Sequence, residues 1–247
     1  MNTKFTKPIK INAPGEDLVF DGIDFTEDAT IEIIAVNSIT FKNCRFYNIA
    51  LNSKKDIIMI GSKHMPKAAG YKLVIENCYF GNNGTYNMIN AGQKLFDGSC
   101  FNSNYCTNDC TRDDRFACYF AVDGSTYNFN GNMFENYSHN GIQFSFYESP
   151  TVTINVNDNE IGVPADDIEN DTRGLVRFRP TPSKTKSFAN ITLNANNNKF
   201  AGEEDRVAFC QYKSAKDLVL TEENVPKYYL NGELTPIEIL NSVPVEA

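Results

Sequence analysis

The densest cluster of chemically capable side chains is Asp109, Arg112, Asp113, Asp114 and Arg115. Paired carboxylates are what glycosidic-bond cleavage requires, one as acid and the other as base or nucleophile. A basic residue beside calcium-holding acids would serve elimination instead. Asp109, Asp113 and Asp114 are therefore the catalytic candidates if the chain is an enzyme. The plainer reading of aspartates between arginines is a solvated, self-paired loop. Two further acidic segments, Asp166, Asp167, Glu169 and Asp171, then Glu203, Glu204 and Asp205, read first as polar bends. Calcium would need their oxygens to converge. Cys100, Cys106, Cys110 and Cys118 lie close together, but their spacing lacks the close pair that opens a zinc motif. The expectation is reduced, partly buried thiols and no resident metal or cofactor. His64 and His139 have no visible Ser or Asp partner, so a nucleophilic triad is unsupported. Tyr71, Tyr79, Tyr86, Tyr105, Tyr119, Tyr127 and Tyr137 could offer rings to a sugar, although several fall where core residues are expected.

These side chains need a scaffold, and the composition limits which kind. The chain has 247 residues and a net charge of −8, with 41% hydrophobic residues and 18 Phe. That content supports a sizeable core and excludes global disorder. The acidic balance disfavours nucleic acid and anionic membrane as partners. No apolar run is long enough for a transmembrane helix, and residues 1–15 lack the continuous apolar stretch of a secretory signal. The chain contains 31 Asn. Asparagine tolerates left-handed backbone and forms hydrogen-bonded ladders when identical positions stack in a repetitive β structure.

A repeat accounts for much of that excess. The pattern is apolar, any, apolar, any, then Gly, Asn or Asp, a small or polar residue, any, and a large apolar residue. It runs Leu18, Phe20, Gly22, Ile23, Phe25; Ile39, Phe41, Asn43, Cys44, Phe46; and Leu73, Ile75, Asn77, Cys78, Phe80. It returns as Tyr127, Phe129, Gly131, Asn132, Phe134; Ile154, Val156, Asp158, Asn159, Ile161; and Leu193, Ala195, Asn197, Asn198, Phe200. Steps between equivalent residues are 21, 34, 54, 27 and 39. Apolar residues at i and i+2 define a half-buried strand, and the Gly, Asn or Asp suits a sharp bend. Second strands are expected around Ile31 and Ile33; Ile142, Phe144 and Phe146; Val176 and Phe178; and Val207 and Phe209. Such a unit buries its apolar side only by stacking on copies of itself. The long interval 81–126 reads as an inserted loop. Cys44 and Cys78, at equivalent positions, belong to one interior stack.

Segments such as Ile39-Thr-Phe-Lys-Asn-Cys-Arg-Phe46 and Leu73-Val-Ile-Glu-Asn-Cys-Tyr-Phe80 resemble the right-handed parallel β-helix proteins of the pectin-lyase-like fold. The resemblance covers about residues 16–212. It implies an all-β, single-stranded parallel β-helix (a solenoid) of about six or more coils, with inserted loops and a C-terminal cap. Residues 1–15 would form an N-terminal cap or entry strand. Residues 213–247 would form a cap or docking segment, with a hairpin turning at Asn231-Gly232. The fold is shared by polysaccharide lyases, glycoside hydrolases, adhesins and bacteriophage tailspike and virion proteins, so it leaves function open. The Asn-Thr-Asp and Arg-Ile-Lys motifs of its pectin-degrading members are missing here. His139, followed by Asn140-Gly141, is similar to the hydrolases' His-Gly element but is interrupted by Asn140.

The expectation is therefore a non-enzymatic bacteriophage virion structural protein, a capsid decoration or a head or tail appendage component. It would be made in the host cytoplasm without a signal peptide and work in the virion. Its partners would be other capsid or tail proteins, further copies of itself, and cell-surface polysaccharide. The alternative is a polysaccharide lyase or glycoside hydrolase acting as a depolymerase.

Overall fold

Alternating apolar residues and left-handed corners impose a recurrent path on this chain. The structure, a computed structural model, describes residues 3–49, 57–60, 70–83, 89–107, 115–135, 140–146, 150–162, 174–180, 187–201, 207–212 and 220–241. Among them every regular element is a strand. The strands form three ladders, visited in fixed order, and from Lys4–Phe5 to Ala208–Tyr212 each strand except Lys199–Phe200 pairs in parallel with the strand three elements on.

The first ladder contains Lys4–Phe5, Asp24–Glu27, Arg45–Ile49, Tyr79–Gly81, Tyr105–Cys106, Met133–Phe134, Glu160–Ile161 and Lys199–Phe200. The second contains Ile9–Asn12, Ile31–Ala35, Ile58–Ile60, Ile89–Leu95, Arg115–Ala121, Asn140–Phe146, Gly174–Pro180, Ala208–Tyr212 and Glu238–Asn241. The third contains Asp17–Asp21, Ser38–Lys42, Gly70–Glu76, Cys100–Asn102, Ser125–Asn130, Val152–Asn157, Ile191–Asn196 and Lys227–Leu230. Pairing of Lys94 with Gly70 and Leu95 with Tyr71 also ties the second ladder to the third.

The core lies between the ladders. In the third, burial alternates strictly along Ser125–Asn130, Val152–Asn157 and Ile191–Asn196. Equivalent residues stack at the interstrand spacing of about 4.8 Å. Phe25 lies 4.8 Å from Phe46, and Phe46 lies 4.7 Å from Phe80, with nearly parallel rings. Fully burying such a side chain contributes about 2–3 kcal/mol.

Each passage from the third ladder to the first turns on one left-handed residue. These are Gly22, Asn43, Asn77, Ser103, Gly131, Asp158 and Asn197, with φ between 52° and 66°. Glycine and asparagine adopt this region at least cost, which places much of the asparagine excess at corners. Asn231 and Gly232, both at positive φ, close an antiparallel hairpin between Lys227–Leu230 and Glu233–Thr235.

Two expectations need correction. The interval 81–126 is no single inserted loop, because it supplies strands to all three ladders. Phe101 is in register with Ile75, dividing the 54-residue step into 26 and 28. Ser99, Ser103 and Cys106 stand where other copies have a large apolar residue, a Gly, Asn or Asp, and another large apolar residue, so the pattern was masked. At the second-ladder strand Ala208–Tyr212 the phase is displaced by one residue. Ala208 and Cys210 are buried and in register with Val176 and Phe178, while Val207 is half-exposed. A one-residue shift exchanges the two faces, and Val207, larger than Ala208, suggested the wrong one.

Candidate functional site

The outer face of the first ladder carries one row in register: Lys4, Asp24, Arg45, Tyr79, Tyr105, Met133, Glu160 and Lys199. Each residue from Arg45 to Glu160 precedes an inward residue, Phe46, Phe80, Cys106, Phe134 or Ile161, and strand parity sends it outward. At the centre of the row, Tyr79 and Tyr105 are tilted neighbours with ring centroids 5.8 Å apart. Tyr105 is 37% exposed and Met133 40%, so an apolar strip faces solvent there.

Polar groups fix those rings. The Arg45 guanidinium lies 4.8 Å above the Tyr47 ring centroid and 5.9 Å from that of Tyr79. It also lies 3.9 Å from the Asp24 carboxylate. The Tyr79 hydroxyl is 3.2 Å from Thr107 Oγ1. The Tyr105 hydroxyl donates to Glu135 Oε1, and that carboxylate raises the Tyr105 pKa. Gly81 makes room for Tyr79, since a Cβ at 81 would fall 2.1 Å from the Tyr79 hydroxyl. The result is a shallow shelf with two tyrosine rings, a thioether and small neighbours, edged by Arg45, Asp24, Glu135 and Glu160. Such a shelf can stack the C–H face of a sugar ring and bond hydroxyls at its rim.

The sequence candidates divide sharply. Tyr71 and Tyr127 are buried core residues, and the Tyr127 hydroxyl donates to the Leu95 carbonyl. Tyr79 and Tyr105 form the shelf. Tyr86 and Tyr137 lie outside the described residues, and Tyr119 lies in a second-ladder strand in register with Phe144. Sequence reasoning missed Arg45, Tyr47, Gly81, Met133 and Glu135. Their legible signal is position relative to the large inward residue of each repeat.

Asp109, Asp113 and Asp114 lie outside the described residues, as do Arg112, His64, His139, Cys110 and all three acids of 203–205. The same holds for Asp166, Asp167, Glu169 and Asp171. Their connections are nevertheless informative. Segments 108–114, 163–173 and 202–206 lead into Arg115–Ala121, Gly174–Pro180 and Ala208–Tyr212, all strands of the second ladder. Among the described residues, no group of three or more His, Cys, Asp or Glu could hold a metal ion. Cys44, Cys78, Cys100, Cys106 and Cys210 are in no disulfide, and Cys44 and Cys78 are buried at equivalent corners. Burial is the first cause that pushes the Cys100 thiol up to about 11, and the Glu76 carboxylate beside it acts in the same direction.

The described residues thus define an all-β protein of stacked parallel ladders with an aromatic shelf on one outer face. No protein-family model, curated protein or solved structure matches the chain.

Proposed function

We propose that this chain is a right-handed parallel β-helix serving as a non-enzymatic structural protein of a bacteriophage virion. In this reading it is a capsid decoration or a head or tail appendage component that contacts host-surface glycan. The fold reading is supported by the fixed order of three ladders and by in-register pairing three elements apart. Right-handedness follows from the strong preference of parallel β crossovers. The virion assignment rests on resemblance, and the capsid or tail partners come with it.

The glycan contact is carried by one observation, the Tyr79–Tyr105 shelf on an otherwise polar outer face. Arg45 is balanced there by Asp24, and further carboxylates line the rim, so the shelf suits neutral rather than acidic sugars. Calorimetric titration with neutral host-surface oligosaccharides tests it. Tyr105→Ala should weaken binding up to about tenfold without shifting the melting temperature. Undiminished binding by that variant, or no binding by the wild type, refutes the shelf reading. Co-sedimentation with isolated capsids and tails tests the virion partners separately.

A depolymerase reading draws support from the connectivity of three acidic segments, which all enter the second ladder, two of them at the neighbouring strands Gly174–Pro180 and Ala208–Tyr212 and the third two strands earlier at Arg115–Ala121. It predicts reducing or unsaturated ends from host polysaccharide, lost in Asp113→Asn or Asp114→Asn. Turnover with that mutational signature would replace the non-enzymatic assignment.

A further inference from the structure

We propose that the N-terminal end of the stack is a self-docking surface on which a second copy sits end to end about a two-fold axis. This proposal stands apart from the glycan shelf and uses different residues.

The two ends are finished differently. At the C-terminal end, the hairpin Lys227–Leu230 and Glu233–Thr235 covers the third-ladder edge, and Leu220, Val225 and Ile237 are buried near it. At the N-terminal end, Lys4–Phe5, Ile9–Asn12 and Asp17–Asp21 each pair on one side only among the described residues. Inward residues that are closed off in later passes remain open in the first. Phe5 is 36% exposed, against 0% for its stacked equivalents Phe25, Phe46 and Phe80. Ile9, Leu18, Phe20 and Ile23 are partly buried, whereas Ile31, Ile39 and Phe41 are at most 1% exposed. Three edge strands with an apolar centre form a ready template for another set of strands.

Charge selects the occupant. Residues 1–12 contain Lys4, Lys7 and Lys10 and no acid, while residues 13–28 contain Glu16, Asp17, Asp21, Asp24, Glu27 and Asp28 and no Lys or Arg. The first- and second-ladder edges are thus lysine-bearing, and the third is aspartate-bearing. A two-fold axis in the plane of the end face reverses the direction of travel, so facing strands meet antiparallel. An axis through the third-ladder edge would set Asp17 and Asp21 against themselves. An axis through either other edge exchanges a lysine edge with the aspartate edge, twice per dimer, and sets the remaining lysine edge against itself once, where Glu27 beside Lys4 or Glu32 beside Lys10 offsets the repulsion. A second copy therefore supplies the apolar centre, the strand partners and the opposite charges together. The edges hold two, four and five residues, the longest about 17 Å, a footprint below the roughly 800 Å² per partner of a standard interface. Association should be reversible and weakened by salt.

Sedimentation equilibrium of the intact chain tests the proposal. The wild type should show a monomer–dimer equilibrium that weakens as salt rises. A lysine-reversed variant (Lys4→Glu, Lys7→Glu and Lys10→Glu) and an acid-reversed variant (Asp17→Lys and Asp21→Lys) should each dimerise at least about tenfold more weakly. Mixed in equal amounts, they should form a heterodimer, because both exchanged edges are again opposite in sign and the edge on the axis now pairs glutamate with lysine. Circular dichroism must show both variants folded. A wild type that stays monomeric at millimolar protein overturns the proposal. Dimerisation indifferent to both reversals, or a mixture that does not recover it, does so too.

Discussion

The same interior corner is built with cysteine in the early passes and asparagine in the later ones. At the residue after the left-handed position stand Cys44 and Cys78, followed by Asn104, Asn132, Asn159 and Asn198. The thiols donate to carbonyls at long range, Cys78 Sγ to Phe41 and Glu76 at 3.5 and 3.3 Å. The amides do far more. Asn132 Nδ2 donates to the Phe101 carbonyl and to Asn159 Oδ1, both at 2.9 Å. Asn132 Oδ1 accepts from Asn104 Nδ2 and from the Asn104 N–H. Asn132 thus fills two donor and two acceptor places inside a buried corner. The comparison teaches that the buried corners take a small polar residue, whereas the first and more open pass carries Ile23, and that only an amide can join one pass to both neighbours.

The largest effect should come from breaking the middle of the amide ladder. Asn132→Leu preserves approximate size but takes the partner from the Asn104 N–H, from one of the two Asn104 Nδ2 hydrogens (the other still bonds the Ile75 carbonyl) and from the Phe101 carbonyl. Leaving several buried polar groups without partners costs about 4 kcal/mol or more. Urea unfolding measures it, and a loss below about 1 kcal/mol would show that the ladder is ornamental. Gly131→Val should rank next. The position has φ of 66°, and an added Cβ would meet Ser103 at no less than 3.6 Å. Space is adequate, so the cost is conformational, about 1–2 kcal/mol for a branched side chain held left-handed. Asn197→Gly, at the same kind of corner, should cost less, because glycine removes that strain.

How far the sequence revealed this follows from the same residues. Asn43, Asn77, Asn132 and Asn159 were legible as corner residues because large apolar side chains flank them at fixed spacing. The division between a left-handed outer asparagine and a buried inner one was not legible, since both are Asn and lie adjacent in Asn197-Asn198. The pass around Phe101 escaped because Ser99, Ser103 and Cys106 satisfy the geometry without the usual residue types. For the shelf, aromatic type alone grouped Tyr71 and Tyr127 with Tyr79 and Tyr105. Strand parity separates them, but parity requires the register. The acidic candidates were found by charge, and charge carries no information about convergence.

The outer faces extend the comparison to pH. In the later passes Asn194 Nδ2 donates to Asn155 Oδ1, and Asn155 Nδ2 to Asn128 Oδ1, a row with no proton to lose near neutrality. In the first pass the acceptor is Asp17, bonded by Ser38 Oγ and Asn37 Nδ2. Those donors hold its carboxyl below the ordinary range. A depressed folded value means that the stabilisation is fully present above the unfolded pKa of about 3.9 and is lost as pH falls through the folded value. Thermal melts of wild type and Asp17→Asn should therefore differ modestly at neutral pH and converge in acid. Curves that stay parallel down to acid pH would remove Asp17 from the account.

The smallest expected effect is the most discriminating. Cys78→Asn places an amide directly above Asn104, whose Oδ1 already accepts the residue-78 N–H at 2.9 Å. The new Nδ2 would donate to that same oxygen, repeating the geometry of Asn104 on Asn132, and to the Phe41 carbonyl that the thiol now reaches. The amide is larger than the thiol, so a small packing penalty offsets the added bonds. Stability should stay within about 1 kcal/mol of wild type. A loss beyond about 2 kcal/mol would mean that the early corner is shaped around sulfur. Cysteine and asparagine would then mark two different corners, and the amide ladder would end at Asn104 for steric reasons.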